Sequence, residues 1–187
     1  MRIGIFGGTF DPPHVGHLIA ALDACDLLRL DGLVFVPAAA QPLKRADAAA
    51  SPEHRAAMVE LVAASDQRFS VDRLEVDRGG LSFTVDTLRA LRVKWPEPAW
   101  QLVLLLGADA AAQFGKWRDP EGVRSLATVA VLTRGAPAEA PGFAVVPSRR
   151  VDVSSTEVRE RVGAGKAICG LVTDPVAAYI AAHGLYH

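Results

Sequence analysis

Two histidines three positions apart, His14 and His17, stand at the end of a glycine-rich run, Gly7-Gly8-Thr9-Phe10-Asp11-Pro12-Pro13. Imidazoles so placed can donate hydrogen bonds to an anion, carry charge near neutral pH, or bind a metal. The preceding Ile3-Gly4-Ile5-Phe6 predicts a buried strand, followed by a glycine turn and a helix starting near Gly16. Backbone N–H groups exposed in such a turn, with the partial positive charge of a helix N-terminus, suit a phosphate chain. Neither common phosphate loop fits. The lysine and Ser/Thr of a Walker A motif are missing, and so is the glycine spacing of a dinucleotide fingerprint. A plain turn with two surface histidines, or a zinc pair, would use the same residues. Zinc needs about four ligands, and His54, His183 and His187 lie far off without ligand spacing, so no metal held by the protein is expected.

Two other clusters follow apolar stretches. Gly107-Ala108-Asp109 succeeds the run at 102–106, and a carboxylate there can accept hydrogen bonds from ribose hydroxyls or cap the next helix. Ser154-Ser155-Thr156 opens a helix with Arg159 one turn on. Hydroxyls and N–H groups at that start form a second anion site, to which the guanidinium adds a charge-assisted bond. A Ser/Thr cap followed by a solvated Glu/Arg face accounts for the same residues.

These clusters need a scaffold that gathers strand ends. Strands are predicted over 2–6, 33–36, 102–106, 128–133 and 143–146, with a weaker one over 69–76. Helices are predicted over 18–28, from Ser51 to about 65, up to Val93 from a cap at Thr84 or Ser82, from Ser154 to 161, and over 175–183. Ser51, Pro52 and Glu53 supply an N-cap, a first-turn proline and an early acid. The alternation favours an α/β fold: a Rossmann-like, doubly wound, mostly parallel sheet with helices on both faces. No repeat or linker divides residues 1–187, which read as a single domain with ligands at the carboxyl ends of the strands. The alanine-rich loop over 37–50 is a candidate flexible segment above the site.

A hydrophobic fraction of 50% and a net charge of -1 describe an ordinary globular chain without a basic field to hold nucleic acid. Cys25 and Cys169 are too few for a disulfide framework, and no targeting segment or membrane-length apolar run is recognisable. A cytoplasmic location without a membrane partner is expected, and nothing in the composition opposes a homo-oligomer.

Taken together, the motifs resemble the bacterial nicotinate-nucleotide adenylyltransferases, within the nucleotidyltransferases that carry an HxGH signature. The resemblance rests on GGTFDPPHVGHL from Gly7, SPEHRAAMVELV from Ser51, LEVDRGGLSFTVDTL from Leu74, LLGADAAAQFGKW from Leu105, VSSTEVRERV from Val153 and VAAYIAAHGLYH from Val176. HxGH marks the superfamily; the stretch from Arg78 to Thr84 and the spacing from Gly107 to Trp117 point to this branch. The chain departs from the family's Pro-Pro-His-Lys run, having Gln41-Pro42-Leu43-Lys44. Phe83 stands where tyrosine is frequent, and Gly135-Ala136-Pro137 replaces a Pro-Gly after Arg134.

The resemblance implies transfer of the adenylyl group of ATP to nicotinate mononucleotide, giving nicotinate adenine dinucleotide and pyrophosphate. It implies that Gly7, Gly8, Thr9 and Phe10 hold phosphates through their backbone. His14, His17 and Lys44 would stabilise phosphate charge, while Ser155, Thr156 and Arg159 grip the leaving pyrophosphate. Gly107 and Asp109 would fix the ATP ribose, Arg134 would lie near the adenine, and Mg2+ would enter with ATP. Trp117 resembles the residue that stacks on the pyridine ring, although core packing is its plainer use. Ser82, Phe83 and Thr84 precede a helix, where N–H donors favour a carboxylate over a carboxamide. Rival readings are a sibling transferase acting on phosphopantetheine, flavin mononucleotide, a sugar-alcohol phosphate or nicotinamide mononucleotide, and a nucleotide-binding module without catalysis.

Overall fold

The computed structural model describes residues 1–42, 48–134 and 142–187, Arg134 by its backbone alone. Its centre is a sheet of six strands in the order β3-β2-β1-β4-β5-β6, every neighbouring pair parallel. The strands are β1 (Arg2–Gly8), β2 (Gly32–Pro37), β3 (Phe69–Val71), β4 (Gln101–Gly107), β5 (Thr128–Arg134) and β6 (Ala144–Ser148). The order reverses between β1 and β4, and a sheet wound outward from that point leaves a crevice at the carboxyl ends of the two strands.

Alternation of side chains along each strand builds two cores. Phe6, Leu33, Phe35, Val103 and Leu105 face one way. They pack beneath α1 (Val15–Leu28), α2 (Pro52–Ala63), α7 (Ser155–Gly163) and α8 (Asp174–Ala182). Ile3, Ile5, Val34, Val36, Leu102, Leu104 and Leu106 face the other way. They meet α4 (Thr84–Lys94) and α6 (Pro120–Leu126). Burial on both faces explains why the strands read as near-continuous apolar runs.

Several boundaries differ from expectation. The strand expected over 69–76 stops at Val71 and gives way to α3 (Leu74–Arg78). There the Asp72 carboxylate accepts from the Leu74 N–H at 3.0 Å and turns the chain out of the sheet. Neither Ser82 nor Thr84 caps α4. Phe83, whose ring has no acceptor to offer, holds the N-cap position without a side-chain bond, and the Ser82 hydroxyl accepts from the Ala39 N–H at 3.0 Å instead. The short helix after β4 is α5 (Ala108–Ala112), followed by a 3-10 turn at Phe114–Lys116 and by α6, which the sequence reading did not foresee. Asp119 caps α6, accepting from the Gly122 N–H at 2.9 Å.

One ion pair, between buried Asp23 and exposed Arg149, fixes where α7 can sit. Asp23 on α1 accepts from the Arg149 N–H at 2.7 Å and from its Nε at 2.9 Å, anchoring the chain just past β6 to α1. The start of α7 is thereby delivered beside the start of α1.

Candidate functional site

The turn after β1 is shaped by small residues. Gly7 and Gly8 remain in register with Val36 and Pro37 of β2, so the strand outlasts its expected end at Phe6. A Cβ on Gly8 would lie 2.8 Å from the Phe10 ring, and one on Gly16 would lie 2.9 Å from the His14 imidazole. Glycine at 16 is therefore what lets the His14 ring fold over the helix start.

That ring caps α1. His14 Nδ1 accepts from the Gly16 N–H at 3.1 Å, while His17 Nδ1 accepts from the His14 N–H at 3.2 Å. The two rings lie 3.8 Å apart between centroids, and Phe10 packs edge-on against His17 at 5.0 Å. With each Nδ1 bound to a backbone donor, the proton of each neutral ring sits on Nε2. Two imidazole N–H donors thus accompany the positive end of a 14-residue helix.

The start of α7 meets the turn after β1 directly. Arg159 Nη1 donates to the Asp11 carbonyl at 2.7 Å, and Nη2 to Thr156 Oγ1 at 3.3 Å. Ser154 caps α7 through the Glu157 N–H, and Ser155 Oγ donates to the Pro12 carbonyl at 2.8 Å. Ser155 is therefore a clamp between α7 and the turn as well as part of a helix start.

The other expected residues divide. Gly107, not Asp109, takes the N-cap position of α5; Asp109 is exposed in the first turn, at the carboxyl end of the strand beside β1. Ser82, Phe83 and Thr84 are half-buried, and the Ser82 N–H donates to the Ala40 carbonyl at 2.8 Å. Trp117 is half-buried, 5.3 Å from the Phe114 ring, so packing occupies part of its surface. The next residue, Arg118, lies 4.8 Å over the Phe83 ring and 3.3 Å from Asp86 on α4, bringing the 117 and 83 positions together. Lys44 and the side chain of Arg134 lie outside the described residues, as do Leu43 and 135–137.

A cavity of about 370 Å³ opens beside the turn, lined in part by Thr9, Ala39, Pro42, Ala50, Arg55 and Leu81. Arg55 was missed from the sequence. Only 1% exposed, it donates to the carbonyls of Thr9 and Ala38 at 2.7 Å, Ala39 at 2.9 Å and Ala50 at 3.2 Å. Burial pulls its guanidinium below the ordinary arginine value, a pull that the Asp11 carboxylate opposes. Its position among Met58, Val59 and Val62, on the apolar side of α2, was the available signal. Asp11 and Tyr186 were missed as well: the Tyr186 hydroxyl donates to Asp11 Oδ1 at 2.8 Å. Glu75, on α3, is a third. It accepts from the Thr87 hydroxyl beneath the 82–84 segment, and burial raises its pKa against the pull of Thr87 and Ser82.

Comparison with known proteins agrees with this geometry. A family described as Cytidylyltransferase-like matches residues 5–161. The chain is 48% identical to the probable nicotinate-nucleotide adenylyltransferase of Gemmatimonas aurantiaca, over 100% of this chain and 92% of that one. It is 46% identical to that of Thermus thermophilus, over 100% of both. The fold matches Plasmodium falciparum nicotinic acid mononucleotide adenylyltransferase solved with APC, at a TM-score of 0.79 and 18% identity, over 99% of this chain and 96% of that one. The same protein solved with NaAD gives a TM-score of 0.80. The chain belongs to the nicotinate-nucleotide adenylyltransferase family of nucleotidyltransferases.

Proposed function

We propose that this chain transfers the adenylyl group of ATP to nicotinate mononucleotide, releasing pyrophosphate and nicotinate adenine dinucleotide. The observation that carries the reading is the junction of Arg159 with the Asp11 carbonyl at 2.7 Å, which joins the starts of α1 and α7 in one donor-rich cradle. The mononucleotide phosphate is already an oxyanion near neutral pH. Its oxygen attacks the α-phosphorus of ATP, a new P–O bond forms, and the bond to pyrophosphate breaks with the electron pair leaving on that group. No general base is required, so positioning and charge stabilisation suffice. The Nε2–H groups of His14 and His17 stabilise charge on the triphosphate, and Arg159 holds the departing pyrophosphate.

Asp109 and Gly107 receive the ribose, with Arg134 toward the adenine. Lys44 approaches the phosphates, and Trp117 with the N–H groups at 82–84 receives the nicotinate. The cavity beside Arg55 is of a size for part of a nucleotide. The donors gathered here are N–H groups, which fit the phosphates rather than a cation. Among the described residues no group of three or more His, Cys, Asp or Glu side chains could hold a metal ion. Mg2+ entering with ATP would lower phosphate charge during displacement. No helix among the described residues is long and apolar enough to cross a membrane, and a reaction that consumes ATP fits the cytoplasm.

A pyrophosphate-release assay with ATP and a panel of phosphomonoesters tests the reading. Nicotinate mononucleotide should exceed nicotinamide mononucleotide, phosphopantetheine and flavin mononucleotide in kcat/KM. Equal values for the two pyridine nucleotides, or turnover of another member alone, would refute the substrate assignment. ATP binding without any turnover would indicate a binding module.

A further inference from the structure

We propose that Tyr186 is a positioning residue of the transferase site, acting through Asp11 on Arg159; the inference rests on the transferase reading above. The Tyr186 hydroxyl reaches Asp11 Oδ1 at 2.8 Å across 175 residues of sequence. The same oxygen accepts from the Ala50 N–H at 3.1 Å, while Oδ2 accepts from the Ala49 N–H at 2.7 Å. Arg159 Nη1 bonds to the Asp11 carbonyl but stays 4.0 Å from Oδ2. One residue, Asp11, only 6% exposed, thus joins its own turn to the approach to α2 and the segment that carries Tyr186 through its carboxylate, and to α7 through its carbonyl.

The hydroxyl matters because of what would replace it. A buried carboxylate short of donors draws in the next one available. Here that donor is Arg159, which would close on the carboxylate and turn away from the phosphate path. With the hydroxyl in place, the guanidinium is held by a neutral carbonyl and a threonine oxygen, and its charge remains available to an anion. Two observations agree. The Tyr186 backbone adopts a left-handed φ of 68°, a conformation unfavourable for an aromatic residue and accepted here with the hydroxyl contact. Burial, and then the Asp11 charge, raise the phenol's pKa, so it stays a donor across the working pH range.

Tyr186→Phe keeps the ring and removes the hydroxyl. It should lower kcat about ten-fold, move KM for ATP less than about two-fold, and weaken inorganic pyrophosphate binding about ten-fold by calorimetry. In an Arg159→Ala background the same substitution should do almost nothing, because residues acting in one network do not contribute additively. Equal losses in both backgrounds, or unchanged kcat and pyrophosphate affinity, would overturn the inference. The calorimetric cycle needs no turnover. A wild-type chain that binds pyrophosphate but releases none from ATP with either pyridine mononucleotide would refute the transferase reading, while the coupling of Tyr186 to Arg159 would still be read.

Discussion

The peptide N–H of His14 donates to Nδ1 of His17 at 3.2 Å, and the two rings lie 3.8 Å apart between centroids. The histidine pair therefore builds the start of α1, where the proposed reaction places the triphosphate. Capping uses Nδ1 on both rings.

A tautomer test follows directly. Nitrogen-15 NMR of the chain at pH 8 should show Nδ1 of His14 and His17 unprotonated and Nε2 carrying the proton. A proton on Nδ1 of either ring would contradict the capping arrangement.

Arg55 offers a test of how the site is held together. Its guanidinium serves carbonyls on the turn after β1, on the chain after β2 and at the approach to α2. A lysine nitrogen cannot span those positions. Arg55→Lys should lose about 3 kcal/mol in urea denaturation, because buried carbonyls are left without donors. A change within about 0.5 kcal/mol, as at an ordinary surface site, would contradict this.

Glu75 gives a pH dependence. Burial raises its folded pKa above the ordinary 4.5, so the folded chain holds that proton more tightly than the unfolded chain. Stability must then fall as pH rises from 4.5 through the folded value. Glu75→Gln removes the ionisation, and its stability should decline less steeply above pH 4.5 than that of the wild type. Parallel curves would mean that Glu75 is not held in its neutral form by burial.

Trp117 packs against Phe114 and is half-buried. Trp117→Ala should raise KM for the mononucleotide about ten-fold, the scale of one lost aromatic stack, with less effect on KM for ATP. Equal effects on both substrates would assign the residue to packing alone.

What could be read from sequence depended on whether a signal was local. β4 was evident because a strand buried on both faces is an unbroken apolar run. The chain over 69–76 was misread because three strand residues pass into five helical ones with only Asp72 to mark the change. Asp119 and Pro120 mark the start of α6, but the helix is short and buries only Val123, too little for an apolar period to show. His14, His17 and Arg159 stood out by their types, and the fold brings their segments together. Arg55 escaped because an arginine in a helix usually faces water. Asp11 and Tyr186 escaped because 175 residues separate them and their bond exists only after folding.

The central claim is direct displacement, with the protein supplying donors and no nucleophile of its own. Turnover of ATP made chiral at the α-phosphorus by sulfur substitution tests it, by comparing the configuration of the dinucleotide with that of the starting nucleotide. A single in-line attack by the mononucleotide phosphate predicts inversion. Retention would demonstrate a covalent adenylyl intermediate on the protein and contradict the account.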